Sequence, residues 1–489
     1  MKNKVQLITY VDRLTGSGIA ELTDLLNQQF SDLFSGVHLL PFYYPIDGSD
    51  AGFDPIDHTQ VDSRLGNWQD IKRLGQSHEL MADLIVNHMS AQSKEFQDVL
   101  THGKQSTYWE LFLTKDKVFP DGLTNELADK IYRPRPGSCF TTFEFANKET
   151  AEFWTTFTDT QIDIDVMSDK GQEYLSRILN TFADNNIKMI RLDAAGYAIK
   201  KAGTRCFMLD ETFDFIDQLS KKANALGIET LVEIHSYYQT QIEIAKRVDQ
   251  VYDFALPPLI LHSLFTKDVT ALVKWLTISP RNCITVLDTH DGIGIIDVGP
   301  MEGKAGLLTN GEIDNLVESI HFNSVNESKK ATGAAASNVD LYQVNCTYYD
   351  ALAQNDYDYL LARAIQFFAP GTPQVYYAGL MGEKNDMTLL EKTNVGRDIN
   401  RPYLTPSDID ESLEKSFVKA MIELINIRNS SDAFNGNFNV KGEQSMLTMS
   451  WDNAHCSAVL IINLTDRTSS IEIKEPSRTY SISLQSLLY

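Results

Sequence analysis

Four segments of the sequence end in polar residues whose types could support acid–base and nucleophilic chemistry. Each segment is apolar until it reaches these residues, which are His88, Arg191, Asp193, Glu233, His235, His290 and Asp291. Side chains alternate along a β-strand, so Arg191 and Asp193 would point to one face, as would Glu233 and His235. A single aspartate at a strand end is usually a helix cap or a loop acceptor. Three acids and three histidines at successive strand ends favour a catalytic site instead.

Three carboxylates that converge without cysteine ligands could bind a metal ion or cleave a glycosidic bond. In retaining cleavage, one carboxylate attacks the anomeric carbon while a second, roughly 5–5.5 Å away, protonates the leaving oxygen. Arg191 beside Asp193 would keep that aspartate ionised, as a nucleophile requires. Glu233 must instead deliver a proton, and a third acid could stabilise positive charge on the sugar. Aromatic side chains that offer faces for sugar rings are Phe53, Phe157, Tyr197 and Tyr237.

Apolar strands alternate with amphipathic segments along the chain. Candidate strands occupy residues 5–11, 37–41, 80–86, 189–193, 230–234, 251–256, 284–287 and 374–377. Apolar residues at spacings of three and four predict helices between them, for example over 19–33, 174–182 and 213–226. Strands that are apolar on both faces indicate a parallel sheet covered by crossover helices. Eight such strands, with no G-x-G-x-x-G after the first, predict an α/β fold of the (β/α)₈ TIM barrel type.

Two intervals are too long for one βα unit, and the end of the chain changes pattern. Both intervals follow strands, so both would lie at the catalytic face of a barrel, and loops of this length are usually functional. Near the end, alternating stretches at 446–451, 458–463, 470–473 and 480–484 predict a small antiparallel β domain. The predicted organisation is a barrel formed by 1–86, 168–292 and 350–433, insertions over 87–167 and 293–349, and a C-terminal β domain over 434–489.

The composition excludes several classes of protein. The chain of 489 residues is 43% hydrophobic and 22% charged, which is ordinary for a globular protein. Its 43 Lys and Arg against 66 Asp and Glu give a net charge of −23, which disfavours binding to nucleic acid or to an anionic membrane surface. No apolar run approaches the length of a membrane span, and the first residues lack a signal-peptide pattern, so we expect a cytoplasmic protein. Five scattered cysteines without C-x-x-C spacing predict neither a disulfide framework nor a zinc site.

Several motifs resemble those of a known enzyme family. The strings LIVNH, RLDAAGY, LVEIH and VLDTHD, in this order, resemble the ordered regions of the α-amylase superfamily. Longer strings are similar to those of the sucrose phosphorylases, among them DGSDAGFDPIDHTQVD, YRPRPG, ATGAAASNVDLYQVN and GRDINR. The resemblance implies reversible phosphorolysis of sucrose to α-glucose 1-phosphate and fructose, with retention through a covalent glucosyl-enzyme. It implies no metal, no cofactor and no macromolecular partner other than a possible second copy in a homodimer.

The resemblance also implies roles for individual residues. Asp193 would be the nucleophile, Glu233 the general acid and then base, and Asp291 the stabiliser of the transition state. Residues implied to hold the glucosyl unit are Asp50, Phe53, His88, Phe157, Arg191, Tyr197, His235, His290 and Arg401.

The acceptor side of the site would lie on the two insertions. By resemblance, Arg135 of YRPRPG and Tyr342 of the DLYQ segment would bind phosphate. Prolines on either side of Arg135 restrict the backbone there. Gln343 favours unphosphorylated fructose, since a phosphorylated acceptor would call for a cation at this loop. Alternatives with the same mechanism are phosphorolysis of sucrose 6′-phosphate or of glucosylglycerol. A hydrolase or transglucosidase, and a non-catalytic sugar-binding barrel, are further alternatives, which an assay for glucose 1-phosphate distinguishes.

Overall fold

Eight parallel strands form a closed barrel in the computed structural model, which describes residues 2–134, 137–301, 303–332 and 343–489. The strands are β1 (Gln6–Thr9), β2 (Gly36–Leu39), β3 (Glu79–Ile85), β4 (Ile187–Asp193), β5 (Glu229–Val232), β6 (Gln250–Asp253), β7 (Cys283–Thr285) and β8 (Thr372–Tyr376). Each pairs with its neighbours in sequence, and β1 pairs with β8 to close the ring. The predicted barrel is confirmed.

Some strands are shorter than predicted. β6 ends at Asp253, because the next residues turn into a helix that begins at Leu256 and has prolines in its first turn. Proline is favoured there, since the first N–H groups of a helix have no intrahelical partner. Apolar character therefore continues past the point where the strand stops.

Amphipathic helices surround the barrel. In Asp169–Asp184, the side chains of Tyr174, Ile178 and Phe182 are buried, and Ser168 caps the helix by accepting the N–H of Gly171. The other α-helices are Val11–Thr15, Ile19–Gln28, Ser49–Gly52, Trp68–Leu74, Lys94–His102, Lys115–Val118, Asn125–Lys130, Asp210–Ala225, Tyr238–Ala245, Leu256–Thr266, Thr270–Ile278, Asn310–Asn323, Glu327–Thr332, Tyr348–Ala351, Asp356–Phe368, Tyr377–Met381, Met387–Thr393, Pro406–Glu414, Ser416–Ser430 and Leu484–Leu488. Single 3₁₀ turns occur at Gly103–Gln105, Trp109–Leu111, Ala195–Tyr197, Ile296–Val298, Gly396–Asn400 and Asp432–Asn435.

Short antiparallel strand pairs lie outside the barrel. They are Tyr43–Tyr44 with Asp57–Val61, His88–Ser90 with Gln161–Asp163, Phe140–Glu144 with Thr150–Trp154, and Ile293–Gly294 with Gln343–Val344. The second and third pairs belong to the interval after β3, where the sequence shows no period because each element is too short for one. The last pair joins the two ends of the interval after β7. The domain boundaries given above stay a prediction.

An antiparallel sheet forms the C-terminal region, as expected. Its strands are β9 (Asn437–Glu443), β10 (Met446–Asp452), β11 (Ser457–Asn463), β12 (Thr468–Glu475) and β13 (Arg478–Ile482). The sequence did not predict β9, because its residues are mostly exposed and polar. Trp451 of β10 donates its indole N–H to the carbonyl of Phe368 at 2.7 Å, which attaches the sheet to the barrel.

The described chain contains neither a membrane-crossing helix nor a disulfide. None of its helices combines the length and the apolar character that a bilayer crossing needs. All five cysteines are buried thiols. Burial raises the pKa of Cys139, next to the YRPRPG segment, to about 11, so this thiol is unreactive near neutral pH.

Candidate active site

The C-terminal ends of β3, β4, β5 and β7 meet at one rim of the barrel, around a cavity of about 120 Å³. Most residues that the sequence analysis selected line this cavity. They are Asp50, Phe53, His88, Phe157, Arg191, Asp193, Tyr197, Glu233, His235, His290 and Asp291. Barrel closure thus brings together acids from three different strand ends, as the barrel prediction requires.

Arg191 joins two of the three acids. Its guanidinium is 2% exposed, with Nη1 3.0 Å from Asp193 Oδ1 and Nη2 2.9 Å from Glu233 Oε1. Nη1 also lies 2.5 Å from Oδ1 of Asp83, a buried residue of β3. Because one guanidinium contacts both, the carboxyl groups of Asp193 and Glu233 are near neighbours, as in a retaining pair.

The charge balance at Asp193 differs from the expectation that Arg191 keeps it ionised. Burial raises the pKa of Asp193 well above its usual range. Arg191 opposes this, but Glu233, Asp83 and Asp291 add to the increase. In the sequence, only Arg191 is near enough to Asp193 to suggest a partner. The tertiary structure surrounds that one cation with several carboxylates, so attraction to Arg191 is shared among them.

Asp291 has the opposite environment. Burial disfavours its ionisation, but the guanidinium groups of Arg397 and Arg401 hold its pKa well below the usual range. Nη1 of Arg397 lies 2.9 Å from Asp291 Oδ1 and 3.1 Å from Asp50 Oδ2. Asp291 therefore remains a carboxylate at the rim, as a group that stabilises positive charge must be.

Arg397, rather than Arg401, faces the cavity. Both belong to GRDINR, but Arg401 is fully buried behind Asp50 and donates its Nε–H to the carbonyl of His290 at 2.7 Å. Its Nη1 lies 3.1 Å from Asp50 Oδ1. The expected contact of Arg401 with the substrate is therefore corrected. Arg401 instead holds Asp50 and the His290 carbonyl from behind the cavity wall. The sequence shows that two arginines lie four residues apart. It does not show which of them the intervening 3₁₀ turn directs toward the cavity.

The backbone at Asp50 is held in an uncommon conformation. Asp50 and Ala51 have φ angles of 51° and 58°, in the left-handed region that L residues rarely adopt. Such residues cost on the order of 1–3 kcal/mol and persist where surrounding contacts fix them. The contacts of Arg397 and Arg401 with the Asp50 carboxylate are such contacts.

Neutral histidines and aromatic rings complete the walls. The His290 ring stacks on Phe53 with centroids 5.0 Å apart, and burial lowers the pKa of His290 to about 3. Burial also lowers the pKa of His88, whose Nε2 lies 3.0 Å from the Phe53 carbonyl. Both imidazoles are therefore neutral near pH 7 and can hydrogen-bond hydroxyl groups without adding charge.

A second aromatic group at the cavity was not predicted. Tyr132 stacks on Phe207 with centroids 4.6 Å apart, and Phe207 lies 4.6 Å from the Tyr197 ring. A Cβ atom on Gly196 would come within 2.8 Å of Phe207, so glycine permits this approach. Tyr132 begins the YRPRPG string, but nothing in the sequence marked Phe207. Other lining residues that the analysis missed are Pro134, Gln161, Ala194, Ile234 and Ile296.

The residues expected to contact the acceptor are only partly visible. Arg135 and Tyr342 lie outside the described residues. Gln343 is 2% exposed, and its Nε2 lies 3.3 Å from Nε2 of His235. Gln343 is not among the residues that line the cavity, but it contacts one that is.

A lysine occupies an oxygen-rich position beside the site. Nζ of Lys200 lies 2.8 Å from Asp163 Oδ2 and 2.9 Å from Asn87 Oδ1, and it also contacts the carbonyl of Tyr197. Its side chain and that of Asp163 are almost completely buried. Oxygen ligands of this kind suit a hard cation, and here they surround an ammonium group.

Comparisons with known proteins agree with this architecture. The family model of the alpha amylase catalytic domain matches residues 28–251. A sucrose phosphorylase of Agrobacterium vitis is 58% identical over 473 residues, which are 96% of this chain and 97% of the relative. One of Bifidobacterium adolescentis is 53% identical, with coverages of 94% and 92%. The crystal structure of a sucrose 6F-phosphate phosphorylase from Thermoanaerobacter thermosaccharolyticum matches with a TM-score of 0.91 at 36% identity, covering 99% of this chain and 98% of that one. With such identity over nearly its whole length, the chain belongs to the sucrose phosphorylase family of the α-amylase superfamily.

Proposed function

We propose that this chain catalyses the reversible phosphorolysis of sucrose, giving α-glucose 1-phosphate and fructose with retention at the anomeric carbon. The observation that carries the proposal is the contact of one buried guanidinium, that of Arg191, with both Asp193 and Glu233. The ionised carboxylate of Asp291 lies at the same cavity. Three acids suited to act as nucleophile, proton donor and stabilising anion therefore support this proposal.

In the first half of the reaction, a carboxylate oxygen of Asp193 attacks the anomeric carbon of the glucosyl unit. The bond to the fructosyl oxygen breaks, and Glu233 gives its proton to that oxygen. Burial raises the pKa of Asp193 above its usual range, yet the attack requires its carboxylate form. Glu233 must carry the proton for the leaving oxygen at that moment, and the contacts of Arg191 with both carboxyl groups fit this arrangement.

In the second half, phosphate resolves the β-glucosyl-enzyme. Glu233, now a carboxylate, accepts the proton of a phosphate hydroxyl while the phosphate oxygen attacks the anomeric carbon and Asp193 leaves. Two inversions give net retention. Arg135 and Tyr342 are proposed to bind the phosphate. The net charge of −23 opposes anion binding, so a local cation is needed for phosphate to compete with water.

The glucosyl unit would lie between Phe53 and Phe157, with its polar edges toward the histidines and the acids. Asp50 and Arg397 form a charged pair at the cavity and are suited to bind adjacent hydroxyls. The stacked rings of Tyr132 and Phe207 would supply an apolar wall for the acceptor.

The acceptor preference rests on Gln343. An uncharged amide suits an unphosphorylated fructose, whereas a phosphorylated sugar would favour a cation there. Phosphorolysis of sucrose 6′-phosphate or of glucosylglycerol remains the alternative. We also propose a cytoplasmic location, which the five cysteines without disulfides support, and assembly as a homodimer.

One assay tests the proposed function. The protein is incubated with sucrose and inorganic phosphate, and glucose 1-phosphate and free glucose are measured separately. Glucose 1-phosphate as the main product supports the proposal, whereas free glucose alone indicates a hydrolase. Parallel reactions with sucrose 6′-phosphate and glucosylglycerol should give much lower kcat/KM. A higher value for either would assign the chain to that activity instead.

A further inference from the structure

We propose that Asp297 is a positioning residue, which fixes the orientation and tautomer of His235 and thereby determines which end of the Gln343 amide is presented to the acceptor. The inference rests on the proposed function and extends it to a residue outside the cavity. Asp297 lies in the 3₁₀ turn Ile296–Val298, at the beginning of the interval after β7, and is fully buried.

The contacts of Asp297 define its orientation. Its Oδ1 accepts the backbone N–H of Ser236 at 3.0 Å and an N–H of the Gln241 amide at 2.5 Å. Its Oδ2 lies 3.0 Å from Nδ1 of His235. An ionised carboxylate can only accept, so Nδ1 of His235 must carry the hydrogen. The ring is also held from one face by Phe254, whose centroid lies 3.9 Å away.

The other nitrogen of His235 faces Gln343. Nε2 lies 3.3 Å from Nε2 of Gln343. In the neutral ring with hydrogen on Nδ1, Nε2 is an acceptor, so the Gln343 amide donates to it. Oε1 of Gln343, buried and without a hydrogen-bond partner among the described residues, is then the end left to accept from a ligand hydroxyl.

A glycine in the neighbouring strand leaves room for the contacts among Asp297, His235 and Gln343. The strand Ile293–Gly294 pairs with Gln343–Val344, with Gly294 opposite Gln343. A Cβ atom on Gly294 would meet Asp297 Oδ2 at 2.9 Å and the His235 ring at 3.2 Å. Only a residue without a side chain lets the ribbon lie this close to the pair. The contacts therefore run from Asp297 through His235 to Gln343.

The Asp297 carboxylate also influences the charge of His235. Burial alone would lower the pKa of His235, but Asp297 raises it above the usual value, with smaller contributions from Glu233 and Asp291. Asp297 is thus the main partner of the imidazole, and its replacement should change the hydrogen bond between His235 and Gln343. The cationic ring carries hydrogen on both nitrogens, so Nε2 accepts from Gln343, and the tests below apply, at a pH above that raised pKa.

Replacing Asp297 by Asn tests the proposal because it keeps the shape and reverses the polarity. Asn Oδ1 can still accept from Ser236 and Gln241, so its NH₂ group would face His235 Nδ1. That nitrogen must then accept, the hydrogen moves to Nε2, and the Gln343 amide has to rotate so that Oε1 accepts from it. A similar Asp→Asn change in the Ser-His-Asp triad also acts through the wrong tautomer.

The expected result is a change mainly at the acceptor step. Asp297→Asn should raise the KM for fructose about tenfold, measured in synthesis from glucose 1-phosphate. Glucosylation by α-glucosyl fluoride, which brings no acceptor sugar, should fall by a clearly smaller factor, since His235 also lines the cavity that holds the glucosyl unit. In a Gln343→Met background, Asp297→Asn should no longer change the KM for fructose. An equal change in both backgrounds, or an equal loss of glucosylation, would overturn the proposal.

Two further variants separate positioning from general stability. Asp350→Asn is the matched control, because Asp350 is also buried and accepts from Thr347, Gln354 and the N–H of Asn385. It should leave the KM for fructose unchanged. Gly294→Ala displaces the Asp297–His235 pair without removing charge and should raise that KM as well, which keeps the test possible if Asp297→Asn does not fold. If wild type makes no glucose 1-phosphate from sucrose and phosphate, the proposed function fails, independently of these comparisons.

Discussion

The three acids at the cavity have two kinds of environment: two of them share one arginine, and the third is held ionised by other arginines. Asp193 and Glu233 share Arg191, whereas Asp291 is held ionised by Arg397 and its neighbours. The first two acids therefore depend on the same cation, while the third acid remains an anion. This separation of environments is how neighbouring carboxyl groups acquire different catalytic roles.

The acid role of Glu233 predicts a dependence on the leaving group. Glu233→Gln should lower kcat/KM for sucrose by about 10²–10⁴-fold, since the fructosyl oxygen needs the proton. Turnover of α-glucosyl fluoride, whose leaving group needs little protonation, should fall far less, as measured by fluoride release. Asp193→Ala is the control and should abolish turnover of both. Equal losses with both donors in Glu233→Gln would remove Glu233 from this role.

The two arginines of GRDINR should separate activity from stability. Arg397→Met should lower kcat/KM for sucrose by about ten- to a hundredfold, because a charge-assisted contact at the cavity is lost. Its unfolding free energy should fall less than that of Arg401→Met, since the side chains of Arg397 and Asp50 are partly exposed at the cavity, where water can replace the lost contact. Arg401→Met should lower that free energy by about 3–5 kcal/mol, because the loss of a fully buried guanidinium leaves its partners unpaired. Both variants are measured by urea unfolding and by sucrose kinetics. Equal losses of stability would contradict a cavity role for Arg397 and a supporting role for Arg401.

Among the elements, the segments after β3 and β4 are tied together by Lys200. Its ammonium joins Asn87, which follows β3, Asp163 in the strand Gln161–Asp163, and the carbonyl of Tyr197 after β4. These segments carry Phe157, Tyr197 and His88, three walls of the cavity. The ammonium supplies the positive charge that this cluster of oxygens needs.

Loss of Lys200 should therefore destabilise the protein. Lys200→Met leaves the buried carboxylate of Asp163 without its cation, and we expect the free energy of unfolding to fall by about 3–5 kcal/mol. Lys201→Met is the control, because Lys201 is exposed and its change should stay within about 0.5 kcal/mol. Chelators should not affect wild-type activity, since the ammonium already contacts these oxygens. Similar stability of the two variants in urea unfolding would show that the Lys200 contacts contribute little.

At the scale of the whole molecule, the closed barrel buries histidines that cannot be protonated without cost. His58 is 2% exposed, its Nε2 lies 3.1 Å from the Asp83 carbonyl, and burial lowers its pKa to about 4. The unfolded chain binds this proton near pH 6.5, whereas the folded chain binds it only near pH 4. Stability from this group is therefore complete above pH 6.5 and is lost as the pH falls from 6.5 toward 4.

The contribution of His58 can be measured as a difference between proteins. Lowering the pH from 7 to 5 should cost wild type about 2 kcal/mol through this residue. His58→Gln, which keeps an N–H donor, should lack that part of the decrease in urea unfolding. His455→Gln, at an exposed position, should retain the wild-type dependence. The same slope in wild type and His58→Gln would show that His58 is protonated in the folded state.

The sequence by itself determined the barrel, the order of its strands and the strand ends that carry the acids. These follow from local rules: the apolar period identifies strands and helices, and alternation places Arg191 beside Asp193 on one face. The motifs also indicated the family, and the relatives confirm it.

Only the tertiary structure decided which distant groups meet at the site. Asp83 contacts Arg191 across 108 residues of sequence, and this contact changes the charge balance at Asp193. Tertiary contacts also bring Phe207 to Tyr132 at the cavity wall and place Asp297 behind His235. They likewise turn Arg397, rather than Arg401, toward the cavity. Sequence patterns report which face of an element is buried. The charge, tautomer and direction of a side chain depend on the groups that barrel closure brings against it.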